Sequence, residues 1–237
     1  MKIQIPEEYQ QKVESYDEFG LAPEASAGVS SFVNQVYGLM CAALLVTAGS
    51  AWWAVRTLSP EQIMTWMWPA MIAELIVVFV LNFLAHRMSK IFAELALVGY
   101  AALNGFTLSI LFLAYTKESL AGAFAVTGGL FGVMSIYGTL TRRDLTTMGS
   151  FCIMGLFGLI LAGLVNLFLG SDGLSFVTSV IGVIIFTGLV AYDSQQIRRF
   201  GAADSGQGSL AVLAALGLYL DFINLFLYVV RLTGKRR

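Results

Sequence analysis

From residue 31 onward the chain alternates between long apolar runs and short polar breaks. The runs cover residues 31–55, 66–86, 91–115, 120–140, 147–170, 175–197 and 210–231. An α-helix needs about 20 apolar residues to cross the roughly 30 Å hydrocarbon core of a bilayer, and each run is long enough. The pattern predicts an all-α, polytopic membrane protein of seven transmembrane helices. Residues 1–30 differ. They are polar and carry Glu7, Glu8, Glu14, Asp17, Glu18 and Glu24, which predicts an acidic N-terminal tail ahead of a membrane domain over residues 31–237. The breaks are short, so successive helices are antiparallel neighbours. Gly128, Gly129, Gly132, Gly138, Gly155, Gly158 and Gly163 lie inside runs, where small residues permit close helix packing. Pro69 suits the first turn of the second helix. Trp52, Trp53, Trp66 and Trp68 bracket the first break as an interfacial aromatic belt would.

One run breaks the apolar pattern at its centre. Leu210–Val230 carries Asp221 near the midplane, where an ionised carboxylate costs about 3 kcal/mol or more. Such a group must be shielded, paired or protonated. At 100° per residue, Gly217, Asp221, Asn224, Tyr228 and Arg231 fall within an arc of about 80°. The polar stripe must face a protein interior or an aqueous cavity, so this helix is expected to be central, with the others packed around it.

Composition supports the membrane reading. Hydrophobic residues make up 57% of the chain and charged residues only 12%, against about 25% charged in soluble domains. A net charge of −1 gives no reason to invoke nucleic acid. Cys41 and Cys152 have no metal-ligand or disulfide spacing and read as small buried hydrophobes. The polar start does not resemble a cleavable signal peptide. The even breaks hold Arg87, Lys90, Arg142, Arg143, Arg198 and Arg199, while the odd ones hold Arg56 and Lys117. The positive-inside rule therefore places the even loops and the N-terminus in the cytoplasm. Seven full spans then put the C-terminus outside, despite Arg231, Lys235, Arg236 and Arg237; a re-entrant last helix is the alternative.

The candidate chemistry is a pair of aspartates. Asp193 lies late in the sixth run and Asp221 in the seventh, joined by a short polar loop. Two carboxylates meeting in low dielectric cannot easily both ionise, so they can share a proton. The pair is a candidate pH sensor and, once ionised, part of a cation path able to hold calcium transiently. The apolar limits place Asp193 near the cytoplasmic end, a depth mismatch of roughly 10 Å at 1.5 Å per residue that a longer sixth helix would close. The reading in which each aspartate bonds only within its own helix stays open. Glu74, inside the second run, could approach the pair or a cation, or be a satisfied packing carboxyl. Asn224 is a further supporting candidate on the stripe. His86 and Arg87 end the second run as a cytoplasmic anchor, or Arg87 closes a gate onto Asp193. Glu94 suits Lys90, and Asn82, Asn104 and Asn166 suit interhelical hydrogen bonds. Arg231 suits a snorkelling role.

Leu218-Tyr-Leu-Asp-Phe-Ile-Asn-Leu-Phe-Leu227, with Arg231 and Gly234, resembles the last helix of the transmembrane Bax-inhibitor-motif family, especially its bacterial members. Tyr192-Asp193 with Gln196-Ile197 is similar to that family's sixth helix. Gln35-Val36-Tyr37, Gly105-Phe-Thr-Leu-Ser109 and Thr141-Arg-Arg-Asp144 extend the resemblance from about residue 31 to 237. It implies a seven-helix bundle wrapped around the last helix and a pH-sensitive calcium leak. It also implies that Asp193 and Asp221 are the pH sensor, and that an arginine ending the second helix latches onto the sixth-helix aspartate. Here that end reads Ala85-His86-Arg87-Met88, which departs from the family's run of arginines.

Three functions follow. The first is a pH-regulated calcium leak channel in a bacterial inner membrane, using no cofactor, with lipid, protons and calcium as partners. The second is a regulatory protein that binds a membrane partner such as a quality-control protease through its tail. The third is an intramembrane aspartyl protease. That class carries Gly-x-Gly-Asp, and Leu218-Tyr219-Leu220-Asp221 has neither glycine, so the chain is not expected to be an enzyme.

Overall fold

The structure is a computed structural model and describes residues 23–84, 87–202 and 208–236. The described residues are helical: α1 Pro23–Thr57, α2 Pro60–Leu84, α3 Lys90–Leu108, α4 Ile110–Ala114, α5 Lys117–Leu140, α6 Thr146–Leu169, α7 Asp172–Ala202 and α8 Gly208–Thr233. With α3 and α4 counted together, seven helices among the described residues are long and apolar enough to cross a membrane. The α3–α4 break falls at Ser109, whose N–H still bonds the carbonyls of Gly105 and Phe106.

Each spanning helix starts ahead of its apolar segment, in the polar residues that precede it. The first begins at Pro23, inside the segment assigned to the acidic tail; residues 1–22 lie outside the described residues. Pro60, and not Pro69, occupies the first turn of α2, where a missing N–H costs nothing. Pro69 lies in the interior of that helix. All four tryptophans around the Leu58–Ser59 turn are exposed, as an interfacial belt requires. The Arg56 guanidinium stacks 4.4 Å from the Trp52 ring centroid. Cys152 is buried, whereas Cys41 is exposed; in an apolar solvent a thiol gains little from burial.

The helices gather into two compact units. One is built on Tyr115–Gln196 and Leu220–Arg237, the other on the described residues up to Ala114 with Ile197–Tyr219. In the latter, Gly105 of α3 lies against the Thr47 carbonyl of α1, where a Cβ would collide. The hydroxyl of Thr47 reaches back to the Ala101 carbonyl at 3.1 Å, and Ser50 donates to that of Ala102 at 2.7 Å. In the former, Gly138 of α5 meets the backbone of Ala191 on α7 in the same way. Gly155 packs under Ile185, but Gly128, Gly129, Gly132, Gly158 and Gly163 have open space beside them. At these five a side chain would meet no neighbour among the described residues.

The last span is the most buried of the seven. In its apolar window 61% of residues are buried, against 11% in the windows of α2 and α6. It is a single unbroken helix of 26 residues, Gly208–Thr233. Beyond it, the Thr116 N–H donates to the Lys235 carbonyl at 3.2 Å, and the Lys235 N–H donates to the Ser119 hydroxyl at 3.0 Å. The chain end is thereby held beside the loop that precedes α5.

Two outcomes follow. Gly138→Leu should lower the stability of the detergent-solubilised protein by about 1–3 kcal/mol, because backbone cannot yield, while Gly132→Leu stays near wild type in the same thermal unfolding assay. In a background lacking Cys41 and Cys152, Lys117→Cys and Lys235→Cys should react with an impermeant thiol reagent from the same side of the membrane.

Candidate functional site: an intramembrane aspartate pair

The site forms where α7 and α8 run antiparallel. Tyr228 of α8 lies on Gly182 of α7, where a Cβ would strike its ring. Phe186 flanks it, with ring centroids 5.7 Å apart. Seven residues back along α8 is Asp221; seven residues forward from Phe186 along α7 is Asp193. A heptad step returns nearly to the same helix face, so the packing that seats Tyr228 also brings the two aspartates opposite each other. Their carboxyl groups lie within hydrogen-bonding reach of one another. The polar stripe of the last helix thus faces α7.

The opposite side of this segment is locked by aromatic contacts. Phe222 meets Phe124 and Phe131 of α5 edge-on at 5.5 and 5.4 Å, and Phe226 meets Phe124 at 6.3 Å. Asp221 is buried, and its Oδ2 has no hydrogen-bond partner among the described residues. Asp193 is half-buried. The depth mismatch narrows because α7 is 31 residues long: Asp193 lies nine residues before its end, and Asp221 thirteen after the start of α8. The four-residue difference is about 6 Å.

Just beyond Asp193, Gln195 ties the loop before α6 to α7. Its Nε2 donates to the Arg143 carbonyl at 2.8 Å, and its Oε1 accepts from the Leu145 N–H at 2.9 Å. Tyr192 packs under Gly149, in the first turn of α6. Thr141-Arg-Arg-Asp144 is therefore a fixed connection, with Asp144 accepting from the N–H and hydroxyl of Thr146.

Glu74 belongs to the other unit and to a different network. It accepts from Thr107 at 2.7 Å and from Asn104 Nδ2 at 3.2 Å. Asn104 Oδ1 accepts from the Tyr219 hydroxyl at 3.0 Å, and that hydroxyl lies 2.7 Å from Thr47 Oγ1. The satisfied packing carboxyl is the reading the geometry supports for Glu74. Asn224 donates to the Leu220 carbonyl of its own helix. Asn82 likewise bonds Val78 within its own helix, whereas Asn166 donates to Ser175 across the α6–α7 turn. Arg87 is exposed and has no ion-pair partner among the described residues; His86 lies outside them. Lys90 and Glu94 pair at 3.7 Å, and Arg231 stacks over Tyr228 at 5.5 Å. Among the described residues no three His, Cys, Asp or Glu side chains converge as a metal site.

A family model described as inhibitor of apoptosis-promoting Bax1 matches residues 29–237. The chain belongs to this Bax-inhibitor family. The inner membrane protein YbhL of Escherichia coli K12 is 40% identical over 220 residues, covering 89% of this chain and 94% of YbhL. An uncharacterized protein of Rickettsia prowazekii is 44% identical, with coverage of 89% and 92%, and one of Deinococcus radiodurans 42%, with 88% and 92%. Like YbhL, this Bax-inhibitor family chain is an integral membrane protein, and its seven spans make it multi-pass.

Sequence reasoning missed Tyr219, Thr47, Thr107 and Gln195. Tyr219 is about 200° from Asp221 around the helix, so a single polar stripe could not include it. Tyr219→Phe removes both hydroxyl contacts and leaves Asn104 Oδ1 without that donor. It should cost about 1 kcal/mol, read as a lower unfolding midpoint in detergent, with the fold retained.

Proposed function

We propose that the chain is a pH-regulated calcium leak of a bacterial inner membrane, with its N-terminus cytoplasmic and with Asp193 and Asp221 as its proton-sensing gate. The observation that carries this reading is the approach of two carboxyl side chains, one of them buried, to within hydrogen-bonding reach. A hydrogen bond there needs a proton between them. Taking the proton away replaces an attraction with like-charge repulsion, and the pressure falls on the α7–α8 contact that Tyr228, Gly182 and Phe186 maintain. Even a change of about 1.4 kcal/mol in the balance of two states alters their ratio tenfold. Two carboxylates supply too few oxygens for a resident calcium ion, which takes about six to eight, but enough to hold one briefly in passage. The departure of the Ala85–Met88 segment from an arginine run, and the exposure of Arg87, favour a gate set by the pair itself.

The same contact could serve an intramembrane aspartyl protease. We rank that reading second, since the residues before Asp221 lack the glycines of that class. Cleavage of a membrane substrate that is lost in Asp221→Ala would reverse the ranking.

In proteoliposomes loaded with a calcium indicator, wild-type flux should change several-fold between about pH 5 and 8. Asp193→Asn and Asp221→Asn should each flatten that dependence, because an amide neither gains nor loses a proton there. Unaltered pH profiles in both variants would exclude the pair as the sensor.

A further inference from the structure

The α2–α3 hairpin carries a feature that the aspartate pair does not use. An apolar groove of about 540 Å³ runs between the two helices, lined by Val77 and Val80 of α2 and by Ala96, Gly99, Leu103 and Phe106 of α3. It exists because α3 presents small residues here; a Cβ added at Gly99 would meet open space. At 1.5 Å per residue, the stretch from Ala96 to Phe106 extends about 15 Å. That length is half the roughly 30 Å hydrocarbon core, comparable to the acyl chains of one leaflet. The groove starts about 9 Å along α3 from Lys90, and the turn joining the two helices carries Arg87. Arg87 is exposed and has no acidic partner among the described residues. Lys90 is only partly engaged by Glu94, its side chain staying 53% exposed.

An apolar slot of acyl-chain length beneath a cationic turn has the chemistry of one ligand class. We propose that the α2–α3 hairpin is a binding site for an anionic phospholipid, with an acyl chain in the groove and the headgroup phosphate at Arg87, assisted by Lys90. A guanidinium can grip phosphate oxygens in a bidentate manner. Arg87 and Lys90 outweigh Glu94, so this end of the hairpin attracts an anionic lipid and gains little from a zwitterionic one. The site rests on the membrane-spanning reading alone and is independent of the calcium path. Basic residues at such positions between helices suit anionic headgroups of the leaflet they face.

Native mass spectrometry of the full-length protein in detergent tests this, with phosphatidylglycerol and phosphatidylcholine of identical acyl chains supplied in equal amounts. Wild type should retain one phosphatidylglycerol with about tenfold preference. Gly99→Leu and Ala96→Phe, which fill the slot, should lose the retained lipid. Arg87→Gln with Lys90→Gln should bring the two lipids to equal retention, and this arm decides the matter if the groove variants do not fold. Equal retention by wild type overturns the proposal. So does a preference unchanged in both groove variants, which would mean surface charge alone. A disulfide-linked dimer formed through Gly99→Cys, with no retained lipid in wild type, would instead assign the groove to a second copy of the chain.

Discussion

A carboxyl group held away from water must keep a proton, find a partner, or be driven out of the fold. Asp193 and Asp221 answer that constraint with each other. Their contact requires α7 and α8 to be antiparallel, close, and in one register, since a shift of one residue turns each side chain by about 100°. The surrounding aromatic residues make sense as the means of holding that register. Phe222 and Phe226 fix the last helix against α5, and Tyr228 seated on Gly182 fixes it against α7. In lipid no hydrophobic force drives helices together, so shape and a few polar contacts must do it.

The last helix is divided between two tasks. Its first half, up to Tyr219, belongs to a unit in which the tyrosine hydroxyl bonds Thr47 of α1 and Asn104 of α3. Its second half carries Asp221 and belongs to the other unit. Under the proposed function, the first half is the stable part and the second half, with its proton-dependent contact, the conditional part. The conditional part contains a carboxyl oxygen, Asp221 Oδ2, with no partner among the described residues, whereas Glu74, the comparable acid of the stable part, has two donors. An unsatisfied buried polar atom costs free energy.

The apolar spans were legible because the bilayer imposes length and polarity on every segment that crosses it, and no tertiary contact is needed to meet either demand. The buried last helix, Asp221 as its exceptional residue, and the stripe it shares with Tyr228 follow from the same rule with the helical period added. The limits of reading by polarity are equally physical. Tyr219 counts as apolar in a run, yet its one hydroxyl is the junction of a network. Glycine counts as a packing residue, yet Gly138 touches a neighbouring backbone while Gly128, Gly129 and Gly132 on the same helix have open space beside them.

The amino-acid sequence alone thus determined the seven apolar spans, their order, and the two acids that could not lie in lipid unattended. Only the tertiary structure decided that those acids meet, that Glu74 bonds Asn104 and Thr107, and that Arg87 is left exposed. Those outcomes depend on the rotation and axial offset of one helix against another. Side-chain shapes from distant parts of the chain set both, and no period within a single segment encodes either.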